Sequence, residues 1–134
     1  MELADIEADL ELLEDWEERY SYLIDLGKKL APMDPSLKTD AHKVHGCLSQ
    51  VWYARRPDTA DGRVGFVADS DSVIVRGLIA VLMSVVDGKR PEDIAAADPI
   101  AVFDRLGFGA HITANRRNGF VAMVERVRAL ARGR

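Results

Sequence analysis

Cys47 is the only thiol in the chain, and this closes off two ways of holding a small fold together. No disulfide can form within the chain, and no cysteine-rich metal cage can be assembled. The 134 residues must be held by a buried apolar core, and that length suits a single domain, 1–134, with one such core. With 48% hydrophobic and 30% charged residues, the composition is apolar enough to fold.

The net charge of −4 carries no electrostatic footprint for nucleic acid, which leaves a protein or a small molecule as the expected partner. The chain opens Met1-Glu-Leu-Ala-Asp-Ile-Glu7, with no basic segment ahead of an apolar one, so no signal peptide is expected. Taken with the lone cysteine, this points to the cytoplasm. The most apolar stretch, 73–86, carries Arg76 and is too short to span a bilayer, so no membrane association is expected.

Leu3, Ile6, Leu10 and Leu13 recur at helical spacing and predict a first, acidic helix over 2–13. Asp15 and Glu18 resemble a capping box for a second helix with Trp16, Tyr20, Leu23 and Leu30 on its apolar face, stopped by Pro32. Residues 31–41 read as loop. Strand formers in 49–55 and 63–68, separated by a turn-rich 56–62, predict an antiparallel hairpin. Asp69-Ser-Asp-Ser72 offers caps for the next element, and capping is the expected role of Asp69 and Asp71. Residues 73–86 carry two signals, met together by a short strand passing into a helix near Gly77. Pro91 and Pro99 open two short helices, 91–97 and 100–106, the second with Asp98 as cap and Gly107 beyond its end. A last helix over 115–131, led by Thr113, has Phe120, Met123, Val124, Val127, Leu130 and Ala131 as its stripe. The fold class is α+β, helices packed around a small antiparallel sheet.

The chemistry centres on His42-Lys-Val-His45-Gly46-Cys47-Leu-Ser-Gln-Val-Trp52. Two readings of Cys47 stand side by side: a small buried hydrophobe, or a reactive thiol on a loop held by a rigid scaffold. Gly46 lets the backbone bend or approach another molecule closely. His42 and His45 either raise the thiolate fraction or are solvated loop residues. The spacing of His42, His45 and Cys47 matches no usual zinc pattern. Asn115-Arg-Arg-Asn118 sets two arginines against the helix dipole, which suggests a forked anchor for a partner's carboxylate. The alternative is a solvated helix start.

These blocks together resemble the SufE family of sulfur-acceptor proteins. The resemblance rests on Val44-His-Gly-Cys47-Leu-Ser-Gln-Val-Trp52, Ala68-Asp-Ser-Asp71 and Ile74-Val-Arg-Gly77-Leu-Ile79. It extends through Gly88-Lys-Arg-Pro91-Glu-Asp-Ile94 and Asn115-Arg-Arg-Asn-Gly119-Phe-Val-Ala-Met-Val124, with Trp16–Ile24 also fitting. Leu48 stands where many members carry a polar residue.

The resemblance implies a fold shared with IscU-type scaffolds, and Cys47 as the thiol that accepts persulfide sulfur from a SufS-type cysteine desulfurase. The sulfur would pass toward a SufBCD-like complex for iron–sulfur cluster assembly. Pyridoxal phosphate would belong to the desulfurase; this chain would hold no cofactor and no metal, act as an accessory protein rather than an enzyme, and be a monomer or homodimer. By position, Asp71 and Arg116 would contact the partner on the same side as the Cys47 loop, and His45 and Gly46, beside the thiol, would contact it too. The rivals are a CsdE-like paralogue serving a CsdA-type desulfurase and, from another class, a Cys–His thiol hydrolase. An iron–sulfur scaffold needs more ligands than one cysteine supplies. At rest, Cys47 is expected to tuck against the 73–86 segment, with burial outweighing the histidines in setting its acidity.

Overall fold

Two helix caps written into the sequence frame the N-terminal layer. The computed structural model of the chain describes residues 2–47, 49–108 and 112–133; Leu48 lies outside them. Helix α1, Leu3–Glu11, turns Ile6 and Leu10 inward, as their one-turn spacing requires. Helix α2, Trp16–Lys28, starts where the Asp15 carboxylate accepts the Glu18 N–H at 2.8 Å. It ends a turn short of Pro32. The following stretch contains two short 3-10 turns, Pro35–Leu37 and Asp40–His42, where only a loop is expected from the sequence.

The hairpin forms, with its strands offset from their expected bounds. Strand β1, Val51–Arg55, pairs antiparallel with β2, Phe66–Ser70, in the register Val51 to Ser70, Tyr53 to Ala68 and Arg55 to Phe66. Val64 belongs to the same buried face but pairs elsewhere: its N–H donates to Lys89 O at 2.8 Å and its carbonyl accepts from Gly88 at 2.9 Å. The chain leaving the next helix has taken the backbone groups that a longer β2 would have used.

At its other end β2 runs on through Asp69 and Ser70, so neither Asp69 nor Asp71 caps the helix that follows. Ser72 does, accepting from the Val75 N–H at 3.4 Å. Asp69 instead pairs with Lys38 at 2.8 Å and lies 3.3 Å from Arg76 Nε. Burial raises its carboxyl pKa, but the Lys38 and Ser70 N–H hydrogen bonds and the two cations outweigh that and hold it below the usual range.

Helix α3, Val73–Val86, is helical throughout, which overturns the strand expected before Gly77. The β-branched Val-Ile-Val start weighs only a few tenths of a kcal/mol per residue against helix. Burial decides the matter. Ile74, Val75, Leu78, Ile79, Val81, Leu82 and Val86 are all interior, and each such side chain contributes ~1.5–3 kcal/mol. The helix packs against α1, α2, β2 and the three helices that follow it. Gly77 is a crossing point: a Cβ built there would meet Leu23 O of α2 at 2.2 Å. Gly27 faces it, its own Cβ position 2.7 Å from Gly77 N.

Helices α4, Pro91–Ala96, and α5, Pro99–Arg105, each carry proline in the first turn, and Asp98 caps α5 through the Ala101 N–H at 3.1 Å. Helix α6, Ala114–Arg132, begins at the Thr113 cap and buries Gly119, Phe120, Met123, Val124, Val127 and Ala131. Phe120 stacks on Phe103 of α5 at 4.6 Å, which joins the last helix to the core. The architecture is α+β, as expected, with α3 at its centre.

Candidate functional site

The Cys47 loop is closed at its neck by backbone pairing. Val44 N–H donates to Val51 O at 2.8 Å, and Lys43 forms a bridge with Trp52, so His45, Gly46 and Cys47 on one arm and Ser49 and Gln50 on the other project from a short antiparallel pair. Gly46 turns the chain with φ of 93°, a left-handed conformation that costs glycine nothing. On the exit side, the Gln50 N–H donates to the Asp71 carboxylate at 3.0 Å, while the Asp71 N–H donates to Gln50 O at 3.2 Å. The turn between β2 and α3 thereby holds the loop's second arm.

Cys47 leans inward from this frame. Its side chain is half-buried, and its S–H donates to Gly119 O at 3.6 Å. The sulfur reaches a wall of a cavity of about 340 Å³. Val75 and Leu78 of α3 and Met123 of α6 give the cavity apolar surface, and Ser49, Thr113, Asn115 and Arg116 add polar groups. A second cavity, of about 270 Å³, lies between α1, α2 and β2 and contains neither cysteine nor histidine.

The electrostatics of the thiol follow from this seat. Burial pushes the Cys47 pKa up from its ordinary value, because the thiolate would lose solvation on entering it. Neither histidine hydrogen-bonds the sulfur among the described residues. His42 Nδ1 lies 2.9 Å from Leu37 O and 3.3 Å from Thr39 Oγ1, engaged within its own turn. His45 is exposed. Burial thus favours the protonated thiol at rest, as expected, but the sulfur rests on Gly119 of α6, while the 73–86 segment lines the same cavity only through Val75 and Leu78.

The paired arginines of α6 have separate fates. Arg116 Nη1 donates to the Tyr20 hydroxyl of α2 at 2.6 Å and lines the Cys47 cavity. Arg117 reaches Asp104 of α5 at 3.3 Å. Each guanidinium finds a partner off the helix, which offsets an unfavourable position at the positive end of the α6 dipole. The structure thus brings Cys47, Gly46 and Arg116 to one place and joins Asp71 to the loop through Gln50.

Sequence reasoning missed Tyr20 as the brace for Arg116, and it missed Gly119 as the surface under the thiol. The second had a signal: a glycine inside a helical pattern weakens the helix by ~1 kcal/mol relative to alanine and calls for a packing reason. Among the described residues, no group of three or more His, Cys, Asp or Glu side chains is placed to hold a metal ion. Nor, among them, is any helix long and apolar enough to cross a membrane.

Comparison with known proteins gives a consistent result. An uncharacterized SufE-like protein of Rhizobium meliloti strain 1021 is 38% identical over 128 residues, covering 94% of this chain and 91% of its own. A SufE-like protein of Rhizobium etli is 39% identical over 128 residues, 94% and 86% of the two chains. The sulfur acceptor protein CsdE of Escherichia coli K12 is 39% identical over 115 residues, 86% of this chain and 78% of its own. In three dimensions the fold resembles the solution structure of a hypothetical protein from Thermus thermophilus, with a TM-score of 0.74 at 21% identity, covering 98% and 96% of the two chains. Residues 4–131 match the family described as SufE: Fe-S metabolism associated domain, and the chain belongs to that family.

Proposed function

We propose that this protein is a sulfur acceptor that takes persulfide sulfur onto Cys47 from a pyridoxal-phosphate cysteine desulfurase. The observation that carries the reading is the sole thiol on a loop pinned at its neck, its side chain lining a cavity with an apolar wall and a polar one. In the transfer, the Cys47 thiolate attacks the terminal sulfur of the donor's persulfide. A new S–S bond forms at Cys47, the donor's S–S bond breaks, and the donor leaves as a thiolate that takes up a proton. Sulfur moves with no net oxidation, so no further reagent is needed. With no second cysteine in the chain, the persulfide cannot discharge as an internal disulfide.

The half-buried thiol must leave its seat to reach a donor's sulfur. Docking of the partner against the loop and the Arg116 rim supplies the occasion, and withdrawal of the desulfurase's persulfide stimulates its turnover. The partner is of the SufS type, and the sulfur passes toward a SufBCD-like assembly of iron–sulfur clusters in the cytoplasm. The pyridoxal phosphate stays with the partner. The E. coli relative named CsdE favours a second reading of the partner, a CsdA-type desulfurase with another destination for the sulfur. A Cys–His hydrolase finds less support, because no imidazole is hydrogen-bonded to the sulfur among the described residues.

Intact-mass measurement tests the reading after incubation with desulfurase and free cysteine. The expected product carries one added sulfur atom, removed by a thiol reductant and not formed by Cys47→Ser. An unchanged mass with both desulfurase types refutes it, and titration against each type separates the two partner readings.

A further inference from the structure

The one glycine within α6 lies directly under the one thiol of the chain. Gly119 is buried in the helix interior, where glycine weakens a helix relative to alanine. Its φ is not left-handed, so backbone conformation does not require glycine there. Space does. A Cβ at Gly119 would sit 3.3 Å from Cys47 Sγ and 3.8 Å from Cys47 Cβ, and among the described residues no other heavy atom lies within 4 Å of it beyond the helix's own backbone and its neighbours. The first distance is tighter than an ordinary contact, so the sulfur would have to give by a few tenths of an ångström, and the second is ordinary. The Gly119 carbonyl also receives the S–H, so the same residue supplies the gap and the polar contact. One turn further along, a Cβ at Gly46 would stand 3.5 Å from the Ala122 methyl, so the loop backbone already rests closely on α6.

We propose that Gly119 is a positioning residue for sulfur acceptance: its missing side chain is the seat that keeps Cys47 docked until a partner draws the loop out. Any side chain at 119 displaces the sulfur from the Gly119 carbonyl and shifts the loop toward an exposed, reactive arrangement. The seat thus trades helix stability for control over when the thiol is available. A protonated sulfur suits it, because its hydrogen-bond partner is an acceptor; an ionised sulfur loses that bond and faces a carbonyl oxygen instead.

The purpose assigned to the seat rests on the sulfur-acceptor reading, but its test needs no desulfurase, so the two can fail separately. Gly119→Ala is compared with the unmodified chain by the rate of Cys47 alkylation with iodoacetamide across a pH series. The expected result is at least about a fivefold faster reaction at neutral pH, with the pH profile moved toward that of the unfolded chain. The same substitution in a Cys47→Ala background supplies the second arm, read as melting temperature. With the sulfur gone the added methyl fills the vacated space, so Gly119→Ala should raise the melting temperature more there than with Cys47 present. Folding only in the Cys47→Ala background also supports the contact. An unchanged alkylation profile, equal melting shifts in the two backgrounds, or failure to fold in both overturns the proposal.

Discussion

Gly77→Ala should destabilise the protein although alanine is the better helix former. The added Cβ would stand 2.2 Å from the Leu23 carbonyl oxygen of α2, while the closest comfortable carbon–oxygen approach is ~3.3 Å. The helices must therefore separate by about 1 Å. Because the obstacle is backbone, no side chain can swing aside to relieve it. A gap of up to 1 Å forfeits roughly a quarter to a half of the dispersion attraction at each opened contact, so the cost belongs near the upper end of overpacking, about 3 kcal/mol. Replacing glycine within a helix returns ~1 kcal/mol, leaving a net loss of about 2 kcal/mol. For a chain of this size that lowers the melting temperature by roughly 8 °C. Thermal unfolding followed by circular dichroism, with a urea titration beside it, measures the loss. Gly27→Ala, whose Cβ position is 2.7 Å from Gly77 N, should cost less. The double variant should cost less than the sum, because the first substitution opens the gap for the second. A melting temperature equal to or above that of the unmodified chain would refute the backbone crossing. The consequence reaches the site, since α3 also carries Val75 and Leu78 to the Cys47 cavity.

Four further outcomes are expected. Cys47→Ser should abolish sulfur acceptance and desulfurase stimulation with the fold retained, checked by intact mass and circular dichroism; a hydroxyl is a far poorer nucleophile toward sulfur at neutral pH. Because burial raises the Cys47 pKa, alkylation of the folded chain should rise with pH later than that of the denatured chain. It should quicken when a desulfurase lacking its own reactive cysteine is added, and identical folded and denatured profiles would contradict the shielded seat. Asp71→Ala leaves the Gln50 N–H without its acceptor, so the loop arm should loosen by ~1–2 kcal/mol and its amide hydrogens exchange faster. Arg116→Glu should slow association with the desulfurase by about tenfold at low salt, with the difference shrinking as salt is added; unchanged binding at low salt would remove Arg116 from the contact face.

What was legible in the sequence was local. The Asp15, Asp98 and Thr113 caps and the proline starts of α4 and α5 depend on residues a few positions apart, and each stands where its spacing put it. The hairpin was legible too, but its offset was not. It depends on Val64 finding Gly88 and Lys89, partners contributed by the far end of a helix. The start of α3 misled because β-branched residues satisfy a strand and a buried helix equally, and only the surrounding layers decide between them. Gly77 marked a close helix approach rather than a change of element. At the site, Cys47 and Gly46 announced themselves through their local run. Asp71 was expected to cap α3, a role that Ser72 takes, and its carboxylate holds the loop through Gln50. Gly119 is 72 positions from the sulfur that rests on it, and no local pattern joins them.

The neck formed by Val44 and Val51 sets how far the sulfur can travel. The shorter arm, from Val44 to Cys47, spans three residues, and a fully extended chain advances at most ~3.3–3.6 Å per residue. With the neck intact, the Cys47 backbone can therefore extend about 10 Å from its root, and the sulfur only its own side-chain length beyond that. A donor whose sulfur lay deeper than that below its own surface could not be reached by the loop alone. The two protein bodies must then meet almost flush, with the ground around the neck inside the contact. Opening the Val44–Val51 and Lys43–Trp52 pairing would lengthen the tether, so the strength of those few backbone bonds fixes how far from the body Cys47 can reach.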